Sequence, residues 1–95
     1  MSELRLTALP LAGLYSLQHG VYEDGRGRFA RLFCQGTLAA FGQVFHVRQI
    51  NHSRTAGKGT VRGLHYQRPP QAEAKLICCL RGAVWDVAVD IRRGS

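Results

Sequence analysis

From residue 44 onward the chain is a succession of short alternating runs, each closed by residues that favour turns. Residues 44–51 set Phe45, Val47, Gln49 and Asn51 on one side and His46, Arg48 and Ile50 on the other. Residues 61–67, 72–80 and 84–91 alternate in the same way, and the polar loop 53–59, Pro69-Pro70 and Arg81-Gly82 separate them. The first half follows the same plan. Pro10 and Gly13 break residues 4–17 into short extended pieces, and Glu23-Asp24-Gly25 makes a tight connection into a strand expected over 28–34. Residues 38–42 read as a helical turn. Many short strands with turn signals and no long helix predict an all-β chain.

At 95 residues the chain has room for one small domain, 1–95, with a modest core. No apolar run approaches the length of a membrane span, and the N-terminus has no basic region followed by a long apolar segment. These features predict no membrane partner, no secretion signal and a cytoplasmic protein. Cys34, Cys78 and Cys79 cannot all pair within one chain, and neighbours in a strand point to opposite faces, so reduced core thiols are expected. The net charge of +7 attracts anions, whether a nucleotide diphosphate, a nucleic acid or an acidic surface.

The residues suited to chemistry cluster around Arg62-Gly63-Leu64-His65-Tyr66-Gln67, with Lys75 arriving on the next run. An imidazole titrates near neutral pH, which suits a base that removes a proton beside a carbonyl, and a nearby ammonium suits the oxyanion left behind. A histidine in a strand is equally a packed or solvated residue, and Lys75 equally an edge residue with its head in water. Gln49 and Asn51 end an apolar face as two amides, marking either a polar pocket or a capped surface turn. Asp86 and Asp90 share a face with small apolar residues and need cations or donors, for which Lys75 and His65 are the nearest candidates in the pattern.

Other chemistries fit less well. A metal-binding strand of this kind offers His-x-His followed closely by Glu. Here the second position is Gln67, and Glu73 lies beyond the proline break, so no metal is predicted. Gly57-Lys58-Gly59-Thr60 lacks the spacing of a phosphate-binding loop. Arg28 and Phe29 stand where an RNA-recognition motif needs an aromatic and a small residue.

Taken in order, Asp24-Gly25-Arg26-Gly27-Arg28-Phe29, Gln49-Ile50-Asn51-His52-Ser53, Lys58-Gly59, the hexamer 62–67, Lys75-Leu76 and the run Asp86-Val87-Ala88-Val89-Asp90-Ile91-Arg92 resemble the dTDP-4-dehydrorhamnose 3,5-epimerase family. These are metal-free cupins of deoxysugar biosynthesis. The resemblance implies a cupin-type jelly roll, of which this chain is the N-terminal portion, and no cofactor. It implies an isomerase that removes a proton next to the C4 ketone of a dTDP-4-keto-6-deoxyglucose-type nucleotide sugar and returns one to the opposite face. His65 matches the base and Lys75 the residue that stabilises the enolate oxygen. Arg26, Gln49, Asn51 and Arg62 match positions that contact the nucleotide sugar.

Arg62 and His65 would then both serve the pocket, which flat alternation forbids, so a bulge at Gly63 is expected. The chain departs from the family at Arg31, where the family has Glu in its substrate-binding set. The resemblance also implies that the proton-donating tyrosine and the acidic partner of the base lie beyond Ser95. Tyr66 neighbours His65 and points the other way. Half a barrel leaves strand edges and an apolar face unpaired, which predicts association with a second chain, either another copy in a homodimer or a separately made remainder. The alternative is a catalytically inactive sugar-nucleotide-binding or assembly fragment of the same family. A basic nucleic-acid-binding β-domain has only its charge in its favour, so no nucleic-acid partner is expected.

Overall fold

A computed structural model describes residues 4–95. Leu4, Leu6 and Leu17 explain the first hairpin. Strands β1 (Leu4–Ala8) and β2 (Tyr15–His19) pair antiparallel, with Leu6 opposite Leu17 and Leu4 opposite His19. These four side chains lie on the more buried face, while Arg5, Thr7, Ser16 and Gln18 face water, the period of two that a half-buried strand pair requires. The loop between the strands closes with a hydrogen bond from Leu9 N to Leu14 O at 3.0 Å and one from Leu14 N to Leu11 O at 3.1 Å. Gly13 takes φ 86° there, a conformation that costs glycine little.

A second hairpin joins β3 (Val21–Asp24) to β4 (Gly27–Ala30) through Gly25 and Arg26. The tight connection expected at Glu23-Asp24-Gly25 falls slightly later, on Gly25 and Arg26, and Glu23 and Asp24 are paired residues of β3. The strand expected over 28–34, however, stops at Ala30. Its partner β3 begins at Val21, which is paired with Ala30, so no backbone remains for residues 31–34 to bond. Those residues lead into α1 (Gln35–Ala40), the helical turn expected slightly later in the chain. The helix ends on a Schellman arrangement. Gln43 N donates to Leu38 O at 2.9 Å, Gly42 N donates to Ala39 O at 2.9 Å, and Gly42 takes φ 84°. Leu38 is 4% exposed and Leu4 likewise, and α1 packs on β1. Phe33 meets Phe45 edge to face with centroids 6.0 Å apart. Gln43 Nε2 donates to Tyr15 Oη at 2.9 Å, tying the segment after the helix to β2.

Both ladders are antiparallel and the helix is short, so the chain is all-β in class. From residue 44 onward the picture changes. Residues 44–51, 61–67, 72–80 and 84–91 enter no ladder, which corrects the expectation of strands there. A strand exists through its neighbour's hydrogen bonds, and among the described residues these runs find no such neighbour. Their apolar side chains are accordingly open: Trp85 is 93% exposed and Ile50 and Val61 are each 88% exposed. The radius of gyration, 15.5 Å, exceeds the roughly 12 Å of a close-packed domain of this length. The buried apolar residues of the described chain are confined to the first half. No helix of the described residues is long and apolar enough to cross a membrane.

Candidate functional site

Arg26 is placed by the turn that carries it. Asp24 Oδ1 accepts from Arg26 N at 2.8 Å, and Asp24 Oδ2 accepts from Arg26 Nη2 at 2.8 Å and from Nε at 3.3 Å. An aspartate that bonds the backbone two residues on favours such a turn. The positive φ falls just after it, on Gly27 at 141°. The guanidinium side chain is 93% exposed, and its hydrogen bonds hold the Asp24 carboxyl below the usual carboxylate range. Tyr22 and Phe29 face each other across the same hairpin, and with Arg26 and Arg28 they line one concavity. Sequence alternation placed Phe29 on a face, but it gave no sign that Tyr22 would stand beside it, because that depends on the register of two strands.

His65 is exposed, and its ring folds back toward Gly63. A β-carbon built at Gly63 would lie 3.3 Å from His65 Nδ1, and Gly63 itself has φ 108°. Without a partner strand there is no bulge in the ladder sense, but the backbone does leave flat alternation at the expected residue. Gln49 and Asn51 are exposed on the extended 44–51 run, and Arg62 is exposed just before Gly63. Among the described residues no hydrogen bond or ion pair joins Gln49, Asn51, Arg62 and His65 to one another or to Arg26.

Lys75 does have a partner. Its Nζ lies 3.5 Å from Glu73 Oε1. The same carboxylate accepts from Gln67 Nε2 at 2.9 and 3.1 Å once the Gln67 amide is turned to match its surroundings. This contact bridges the hexamer and the Lys75 run across Pro69-Pro70. Glu73 was visible in the sequence only as a residue that spoils a metal-ligand pattern, and Gln67 only as that and as the end of the hexamer. Among the described residues no three His, Cys, Asp or Glu side chains gather where they could hold a metal ion.

Asp90 corrects a second expectation, since neither Lys75 nor His65 is its cation. Arg92 Nη2 donates to Asp90 Oδ2 at 2.7 Å, and Arg92 Nε and N both donate to Oδ1, at 2.9 and 3.0 Å. Arg92 Nη2 also donates to Ala12 O at 2.8 Å, which ties the end of the chain to the loop of the first hairpin. The side-chain and backbone hydrogen bonds from Arg92 lower the Asp90 pKa from 3.8 to about 2. A depressed carboxylate pKa contributes stability that is fully present above the ordinary value and is lost as pH falls through the lowered one. The tether is therefore expected to hold above pH 4 and to loosen as pH falls toward about 2. Carboxyl-detected NMR titration checks this, and an Asp90 midpoint at the ordinary value removes the pairing.

The thiols are unpaired, but the expectation that they are core residues is corrected: Cys34 is half-buried, and Cys78 and Cys79 are exposed on a run that nothing described covers. Hydrogen bonding from Thr37 lowers the Cys34 pKa, and the Arg31 charge adds to this.

The antiparallel hairpins, with the chemistry-bearing residues set on turns and extended runs, define an all-β protein that carries a histidine and a cation in neighbouring segments. Comparison with known sequences says which kind. A sequence model of the family described as dTDP-4-dehydrorhamnose 3,5-epimerase matches residues 8–95, and the chain belongs to that family. The dTDP-4-dehydrorhamnose 3,5-epimerase of Mycolicibacterium smegmatis is 41% identical over 88 residues, covering 92% of this chain and 43% of that protein. The enzyme of the same name from Shigella flexneri is 47% identical over 76 residues, covering 79% of this chain and 41% of its own length. A dTDP-4-dehydro-6-deoxyglucose 3-epimerase from Streptomyces bikiniensis is 39% identical over 88 residues, 92% of this chain and 44% of that one. The chain thus spans less than half the length of these curated relatives. No solved structure matches it.

Proposed function

We propose that this chain carries the proton-abstracting part of a nucleotide-sugar epimerase site, acting on a dTDP-4-keto-6-deoxyglucose-type substrate in deoxysugar (rhamnose) biosynthesis. The observation that carries the reading is the match of 8–95 to the family, a stretch that includes every candidate residue. His65 takes the proton from the carbon beside the C4 ketone. The electron pair of that C–H bond moves into the ring bond, and the carbonyl electrons move onto the C4 oxygen. The Lys75 ammonium stabilises the resulting enolate. Return of a proton to the opposite face restores the ketone and inverts the carbon. The step moves a proton and changes no oxidation state, so the scheme uses no redox cofactor.

Arg26 and Arg62 bind the diphosphate through permanent charge and paired donors, and Gln49 and Asn51 hydrogen-bond the sugar nucleotide. Tyr22 and Phe29, beside Arg26, offer flat apolar surface to the base. The chain acts as one domain, 1–95, of a cupin-type jelly roll in the cytoplasm. Its open apolar runs are covered by a second copy in a homodimer or by a polypeptide equivalent to the rest of the relatives' length.

The test is deuterium uptake from heavy water into dTDP-4-keto-6-deoxyglucose by the purified chain, with the labelled carbon located by NMR. Uptake at C3 alone or at both C3 and C5 separates the two activities named among the relatives. A second reading, a binding or assembly piece without turnover, is favoured by Arg31 in place of the family's Glu and by the separation of the candidate residues. Binding of the nucleotide sugar without uptake selects it.

Gly63 offers a sharper check. Alanine there must adopt φ 108° and set its β-carbon against the His65 ring, so the imidazole has to move. Gly63→Ala is expected to slow uptake about threefold to tenfold, less than the roughly 100-fold of a full ångström misplacement because the ring has to give by less than that, while nucleotide binding stays near wild type. Equal uptake in the variant would separate the Gly63 geometry from the chemistry.

A further inference from the structure

We infer that Glu73, itself held by Gln67, is the positioning residue for Lys75; the inference rests on the reading of Lys75 as the enolate-stabilising cation. The ammonium sits at the end of a flexible four-carbon stem and is half-exposed, so the stem itself does not fix where the charge lies. Glu73 is two residues before it, with Oε1 3.5 Å from Nζ.

Glu73 is in turn fixed from outside its own segment. Gln67 Nε2 donates to Oε1 at 2.9 Å and to Oε2 at 3.1 Å, and reaches Gln71 O at 3.3 Å. Gln71 N donates to Arg68 O at 2.8 Å, closing the turn between the two runs. Gln67, Glu73 and Lys75 thus form one chain of contacts around Pro69-Pro70, which starts two residues after His65 in the sequence.

An ion pair about half-exposed on both sides adds little to folding stability. Its effect falls on the direction of the Lys75 side chain. Glu73 presents an anion that draws the ammonium toward the hexamer side of the turn, and Gln67 keeps that anion from swinging into solvent. The substrate oxyanion then takes the ammonium over from a neighbour already in place.

Lys58 and Lys75 are the only lysines in the chain, which makes the test direct. Acetylation by an N-hydroxysuccinimide ester at fixed pH, followed peptide by peptide by mass spectrometry, gives the ratio of Lys75 to Lys58 reactivity. Glu73→Gln and Gln67→Ala are each expected to raise that ratio about two- to fivefold, the range that a half-exposed pair supports. The double variant is expected to go no further than the larger single effect, because the two residues act as a unit. An unchanged ratio in either single variant overturns the assignment, and so does an equal rise at both lysines, which marks general loosening.

In the deuterium assay, Glu73→Gln is expected to lower kcat about five- to tenfold with KM held, and Glu73→Asp to recover part of the loss. Wild-type uptake that is unaltered in Glu73→Gln overturns the inference. A wild-type chain with no uptake at all removes the epimerase reading, and the acetylation ratio still decides whether Glu73 holds Lys75.

Discussion

His65→Ala is expected to abolish deuterium uptake into the keto sugar, a fall of about 100- to 10,000-fold, the contribution of a positioned general base. Three observations make the test clean. The side chain is exposed and lies outside the buried residues Leu4 and Leu38, so its loss leaves the hairpins and helix intact. Among the described residues no hydrogen bond or ion pair depends on the ring. The substitution also removes a base without introducing a charge, so the arginines proposed to bind the diphosphate are left untouched. Free imidazole added to the variant is expected to restore part of the uptake, since a small base can enter the space the side chain vacates. A His65→Ala chain that takes up deuterium at the wild-type rate would mean that another group removes the proton, and the three remaining histidines, His19, His46 and His52, become the candidates.

The first hairpins were legible because their signals are local. Pro10, Gly13 and the Asp24-Gly25 pair name their turns through backbone chemistry that acts within a few residues. The end of β4 at Ala30 was not legible, because the length of the partner strand sets it and the residues of 31–34 themselves do not. The same limit governs residues 44–91, at larger scale. Alternation shows which side of a run is apolar, but only a neighbouring strand turns that run into sheet, and no sequence window contains the neighbour. Trp85 shows the consequence: it sits on the apolar face that alternation predicts and is almost wholly in water.

Of the candidate site, residue types and order were legible and pairings were not. The acidic partner of Lys75 is Glu73, two residues away, and that of Arg92 is Asp90, also two away. The expected pairing of Asp90 with Lys75 or His65 reaches across runs, whereas Lys75 and Asp90 each meet an opposite charge two residues away. Electrostatic pairing favours the closest opposite charge, and among the described residues these runs have no partner strand to bring a closer one across, so the residue two along supplies it.

Lys75→Met is expected to lower kcat for proton exchange about 100- to 1,000-fold, the cost of removing one stabilising group from a developing oxyanion. Methionine keeps most of the stem and loses the charge, and the side chain is half-exposed, so the fold is disturbed little. The C4 oxygen of the ground-state ketone carries only partial charge, whereas in the transition state it approaches a full negative charge. The ammonium therefore contributes mainly in the transition state, and KM is expected to move less than threefold or so. Lys75→Arg keeps the charge but spreads it over a planar group with fixed donors, so it is expected to recover only part of the rate. A saturation series of uptake rate against nucleotide sugar, run on wild type and both variants, measures kcat and KM separately. If Lys75→Met raises KM and spares kcat, the lysine is a binding cation for the diphosphate, and stabilisation of the enolate comes from another group. If both parameters hold, the Glu73–Lys75 pair is a surface feature of the turn, and the electrophilic half of the site lies in whatever covers the open face of residues 72–91.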